Sequence, residues 1–102
     1  MPIIIVATMT PVPGQREALV TLLEAVVVQA QTVPGTEIYA LHEGDEGRLV
    51  LIEKFADEAG VAAHRADAKL AEIAAPLRGL LSVPMDVQVL APHPAGDAKG
   101  TL

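Results

Sequence analysis

A chain of 102 residues with net charge −6 and pI near 4.8 is one small acidic domain. Its seven Lys and Arg are scattered, and it has one Tyr, one Phe and no Trp. That excludes the basic clusters and stacking platforms of nucleic-acid binders and the polybasic patch of an anionic-membrane binder. With no Cys there is no disulfide framework, no thiolate metal site and no thiol nucleophile.

The chain is 51% hydrophobic and almost wholly aliphatic in that fraction, so any pocket is walled by Val, Leu, Ile, Ala and Met. Residues 3–10, IIIVATMT, are β-branched and apolar and read as a strand buried on both faces. The run is too short to span a bilayer and lacks the charged start and cleavage site of a signal peptide, so the expected location is the cytoplasm. PVPG at 11–14 breaks the chain, and a helix is expected from about Gln15. Leu19, Leu22, Leu23, Val26, Val27 and Ala30 recur along one face of it, and VPG at 33–35 ends it.

Residues 36–43, TEIYALHE, predict a second strand, and GDEG at 44–47 a hairpin into a third strand at 48–55, RLVLIEKF. Asp57 is a good N-cap for a short helix to about Arg65. A further helical stretch carries Leu70, Ile73, Ala74 and Leu77 on one face, with Pro76 kinking or ending it. VPMDVQVLAP at 83–92 predicts the last strand, with Met85, Val87, Val89 and Ala91 sharing a face. The domain is therefore expected over residues 1–91. Residues 92–102 form a polar tail rich in Pro and Gly, expected to be mobile unless a partner holds it.

The order β-α-β-β-α-β with a central hairpin is the ferredoxin-like split βαβ arrangement of the α+β class. Helices would cover one face of a four-stranded antiparallel sheet. The other face is also apolar, since Leu49, Leu51 and Phe55 alternate with Val50 and Ile52 along one strand. A sheet greasy on both sides needs a second cover, and the expected one is a second copy of the chain.

Few residues offer chemistry. Glu53 shares its strand face with Leu49, Leu51 and Phe55. It is either an acid turned to solvent or paired with Arg48, Arg65 or Lys54, or a carboxylate held in an apolar wall with a raised pKa. Tyr39 shares a face with Glu37 and Leu41. His64 sits on the alanine-rich helix AGVAAHRAD, where histidine is the natural carrier of protons near neutral pH. His42 precedes the hairpin and His93 lies in the tail, and both are weaker candidates. No metal site is expected, because the three His are far apart without ligand spacing. Phosphate-loop, dinucleotide and nucleophile-elbow motifs are absent, and the single serine, Ser82, has no such elbow.

Three segments resemble the antibiotic biosynthesis monooxygenase family, which includes quinol monooxygenases and anthrone oxygenases. PGTEIYAL (34–41) is similar to its Pro-Gly-x-x-x-Tyr strand. LIEKFADEAGVAAH (51–64) is similar to its strand ending in Glu, an aromatic two residues on, Asp-Glu at the turn and the helix histidine. PVPGQREAL (11–19) is similar to its helix entry. The resemblance covers roughly residues 2–91 and implies a dimeric α/β barrel with a cleft in each subunit between sheet and helices.

It further implies a cofactor-independent monooxygenase that uses neither metal nor flavin and acts on a quinol or polycyclic phenol with O₂. His64 would then move protons or orient the substrate, Glu53 would orient or pair across the site, and Tyr39 would hydrogen-bond the substrate. Met9, Leu41, Leu51 and Phe55 would contact its ring. Departures are plain: Lys69 stands where a second His is frequent, and Phe55 where Trp is usual. The Asn and Trp of anthrone oxygenases are missing altogether. The iron ligand of the haem-degrading relatives falls near Ala74, so haem degradation is poorly supported. A non-catalytic binding or assembly module, or an isomerase or lyase of the same fold, are the alternatives.

Overall fold

The structure, a computed structural model, describes residues 1–102. Four strands form one antiparallel sheet: β1 (Ile3–Met9), β2 (Thr36–Glu43), β3 (Leu49–Phe55) and β4 (Asp86–Leu90). Helix α1 (Arg16–Ala30) connects β1 to β2, and α2 (Glu58–Ala66) and α3 (Ala68–Ala74) connect β3 to β4. The strand order β2-β3-β1-β4 is the ferredoxin-like one, with the β2–β3 hairpin beside the two crossovers.

Strand periodicity sets the layers. β3 alternates buried and half-buried along its whole length, with Leu49, Leu51, Glu53 and Phe55 on the buried side. Helix α1 covers that side with Leu19, Leu23, Val26 and Ala30, four positions of its apolar stripe. Together with Ile5, Ala7, Met9, Tyr39, Val61 and Leu70, the residues of these two faces other than Glu53 form the core.

The hairpin turns through a 3₁₀ segment at Asp45–Gly47, where Glu46 and Gly47 take positive φ. Asp57 caps α2 as expected, its carboxylate accepting from the Gly60 amide at 3.0 Å. A second cap divides the helical stretch: Asp67 accepts from the Leu70 amide at 2.7 Å, ending α2 and starting α3. At Pro76 the α-helix gives way to a 3₁₀ segment, Ala75–Leu80.

Two glycines dock α2 on the start of β2. A Cβ on Gly60 would lie 2.8 Å from the Gly35 carbonyl oxygen, and Gly35 itself has φ +87°. Gly60→Ala is therefore expected to push α2 off the sheet and lower stability by roughly 1–3 kcal/mol, read as a fall in melting temperature.

Strand β4 differs from expectation. It spans five residues rather than the ten of 83–92, and all five are exposed. Its pairing with β1 runs only from Ile4–Leu90 to Thr8–Asp86, and Pro84, which lacks an N–H, stands before it. The residues beyond 92 return toward the sheet, where the Lys54 ammonium donates to the Leu102 carbonyl oxygen at 2.5 Å. No helix is long and apolar enough to cross a membrane.

Candidate active site

Register brings the three sequence candidates together. Tyr39 of β2 pairs with Glu53 of β3, which pairs with Ile5 of β1, which pairs with Val89 of β4, so the four form one row across the sheet. The next row is Leu41, Leu51, Ala7 and Val87. Both rows face the helices, and α2 lays His64 over the first. The His64 ring lies 5.4 Å from the Tyr39 ring, tilted by 34°, and 5.3 Å from the Phe55 ring, edge-on at 61°.

A cavity of about 300 Å³ lies between sheet and helices at this place. Its polar lining is Tyr39, Glu53, His64 and Arg65; the remainder is apolar, from Ile5, Met9 and Leu51 on the sheet to Leu23, Val26 and Leu70 on the helices. Met9 and Leu51 therefore line the wall. Phe55 and Leu41 do not: Phe55 is fully buried behind His64, and Leu41 stands at the hairpin end of its strand. Arg65, Met85 and Val87 are lining residues that the sequence candidates did not include. The i, i+4 step from Val61, a buried residue of α2, was the available signal for Arg65.

Glu53 is an unusual residue for a central strand, since it is only 5% exposed and sits in an apolar row. None of the cations offered by the chain pairs with it. Lys54 pairs with Glu37 at 3.6 Å, on the opposite face, and Arg48 donates to the Asp45 carbonyl at 3.1 Å. Burial pushes its carboxyl up from 4.5 to about 7, an effect that the nearby Tyr39 hydroxyl offsets only in part. The Tyr39 hydroxyl is pushed well above its ordinary value, by burial first and then by the Glu53 charge. It is a proton donor in hydrogen bonds at any physiological pH and not a base.

His64 is half-buried, and its pKa is lowered, first by burial and then by the Arg65 charge, with Asp67 acting in the opposite direction. The ring is therefore neutral near pH 7. Its Nδ1 is buried without a hydrogen-bond partner, which leaves one ring nitrogen unsatisfied within the protein. The arrangement thus holds a carboxyl that ionises near neutrality, a phenol that donates and a neutral imidazole, all in an aliphatic enclosure. It can take a proton from a weakly acidic substrate and keep the resulting anion dry. No three His, Cys, Asp or Glu side chains converge as a metal-ligand set.

The sequence pattern of the family described as "Antibiotic biosynthesis monooxygenase" matches residues 2–76. A Mycobacterium tuberculosis protein, "Putative monooxygenase Rv0793", is 34% identical over 92 residues, which span 89% of this chain and 91% of that one. The solved structure of that protein superposes with TM-score 0.85, covering 96% of this chain and 99% of its own. "Putative monooxygenase YcnE" of Bacillus subtilis is 32% identical over 77 residues, 74% of this chain and 81% of its own. PA3566 of Pseudomonas aeruginosa superposes with TM-score 0.78 at 26% identity, covering 87% of this chain and 91% of its own. With its α+β ferredoxin-like fold and the motif-bearing segments in place, the chain belongs to the antibiotic biosynthesis monooxygenase family.

Proposed function

We propose that the protein is a cofactor-independent monooxygenase acting on a small quinol or phenol with O₂. The observation that carries this reading is Glu53, a buried carboxyl shifted to about 7 in the wall of an apolar cavity beside Tyr39 and His64. A phenol proton is removed by the Glu53 carboxylate while the Tyr39 hydroxyl donates to the oxygen that gains charge. His64 accepts from or donates to the same ring system and fixes its orientation. The electron-rich anion then reduces O₂ directly. For a hydroquinone the balance closes without another reductant: one oxygen atom enters the ring, the other leaves as water, and the substrate supplies every electron as it becomes a hydroxylated quinone.

At about 300 Å³ the cavity is at the lower end of small-molecule sites, which suits one or two fused rings better than a larger polycycle. Oxygen uptake and quinone absorbance with a panel of hydroquinones test the proposal. Turnover above the uncatalysed autoxidation rate supports it. Binding without uptake would leave a ligand-binding module, and product formation in the absence of O₂ would mark an isomerase or lyase.

The working unit proposed is a homodimer. Outside the helical layer, Val6, Val50 and Ile52 form a half-buried apolar face, and β4 adds Leu90. A partner sheet would cover it. Light scattering at micromolar concentration is expected to give twice the 10.6 kDa chain mass, and Ile52→Glu is expected to give the single chain. A wild-type monomer would contradict the dimer.

A further inference from the structure

Most cations of this chain have an acceptor within it. Arg16 pairs with Glu43, Lys54 with Glu37 and Lys99 with Asp97, and Arg48 donates to a backbone carbonyl. Arg65 makes no ion pair, although it follows His64 directly and is the one Lys or Arg on the cavity wall. The other unpaired cations, Lys69 and Arg78, do not line that cavity.

Arg65 also lies at a junction. A second depression, of about 360 Å³, shares Ile5 and Arg65 with the cavity and continues past Ile3, Val61 and Glu58. A ligand that filled the inner cavity and projected outward would therefore pass the guanidinium. Glu53 lies on the cavity wall, cross-strand from Ile5, where its ionised form repels a second negative charge. Glu58 borders the outer depression and repels an anion that lies deep within it. The place for an anionic group is between them, at Arg65, whose planar fork suits a carboxylate by two parallel hydrogen bonds.

We propose that Arg65 determines substrate specificity by charge: the phenolic substrate carries a carboxylate on the side of its ring remote from the reacting hydroxyl, and that carboxylate is held by Arg65. The assignment rests on the inner cavity being the substrate site. It adds an acidic arm to the substrate class and gives Arg65 a role in selection rather than in proton transfer.

The test compares a hydroquinone bearing a carboxymethyl arm with the same compound as its neutral primary amide. Binding is measured anaerobically by calorimetry and oxygen uptake in parallel. The acid is expected to bind roughly three- to tenfold more tightly than the amide, a modest range because the guanidinium is exposed, and added salt should shrink the difference. Arg65→Gln should abolish the preference by weakening binding of the acid more than that of the amide, with melting temperature unchanged, and Arg65→Lys should retain part of it. Equal affinities in the wild type, a preference that survives in Arg65→Gln, or no binding of either compound overturns the assignment. Acid-selective binding without oxygen uptake supports Arg65 as the selector and overturns the oxygenase reading alone. Uptake without acid preference does the reverse.

Discussion

Glu53→Gln is expected to make the protein both less active and more stable. Removing a positioned general base lowers turnover by about a hundredfold or more. The stability gain follows from the same carboxyl. Its folded pKa of about 7 lies above the 4.5 of an unperturbed Glu. Between those values the native state holds a proton that the unfolded state has released, so stability falls as pH rises through the window. Above about 7 the penalty is fully present. The full shift corresponds to roughly 3 kcal/mol, and relaxation of the site reduces it to about 1–3 kcal/mol.

Gln keeps the shape and carries no charge. At pH 8 the variant should therefore melt on the order of 5–15 °C above the wild type. At pH 4 or below, where both states hold the proton, the two should melt together. Equal melting temperatures at pH 8 would mean that the carboxyl is not held in an apolar wall. A carboxyl in a central strand row, between Tyr39 and Ile5, that lowers stability in this way is consistent with the proposed role as a base.

His64→Ala is the second large effect. Loss of the imidazole is expected to depress kcat/KM at least tenfold. The rise of kcat/KM with pH through about 7 should persist, because that limb belongs to Glu53. The two residues are thereby separable: Glu53→Gln removes the pH dependence, and His64→Ala lowers the rate across it.

Stability separates them again on the acid side. The folded pKa of His64 is lowered from 6.5, so below that value the unfolded chain binds a proton that the native state refuses. The wild type should lose stability as pH falls below about 6.5 in part for this reason, and His64→Ala should remove that part of the slope. Uptake equal to wild type in the alanine variant would take His64 out of the mechanism.

Much of this arrangement was legible in the residues. β-branched runs, Pro-Gly breaks and the GDEG turn placed β1, β2 and β3 and the start of α1 within a residue of their observed bounds, while α1 ends at Ala30, about two residues before the VPG break. Asp57 marked the start of α2, and Pro76 marked the end of α3. Alternation placed Glu53 with Leu49, Leu51 and Phe55, and that face is the buried one. What alternation does not carry is the partner across the sheet. The Tyr39–Glu53 pairing depends on hairpin register, with an irregularity between Thr36 and Ile38.

Strand β4 was overextended at both ends, and at its start for a related reason. Its apolar period continues from Met85 to Ala91, but a strand needs a neighbour. Past the Thr8–Asp86 pair the register slips, so that Thr10 accepts from the Ser82 amide and Pro11 pairs with Leu81, and residues 83–85 are left out of the ladder. The same limit applied to the cavity wall. Met9 and Leu51 were among the ring contacts that the family resemblance implied, whereas excluding Phe55 and Leu41 and including Arg65 required the packing of α2. That packing depends on the contact between Gly35 and Gly60. A glycine in each of two segments gives no sign that the two backbones touch.

The proposed chemistry turns on the ionisation of one carboxyl. Carbon-13 NMR can follow the side-chain carboxyl of each glutamate across pH, with Glu53→Gln identifying the resonance. The predicted midpoint for Glu53 is about 7, in the absence of any substrate. A midpoint near the ordinary 4.5 would contradict a buried base in this cavity, and with it the proton-transfer role on which the proposed chemistry depends.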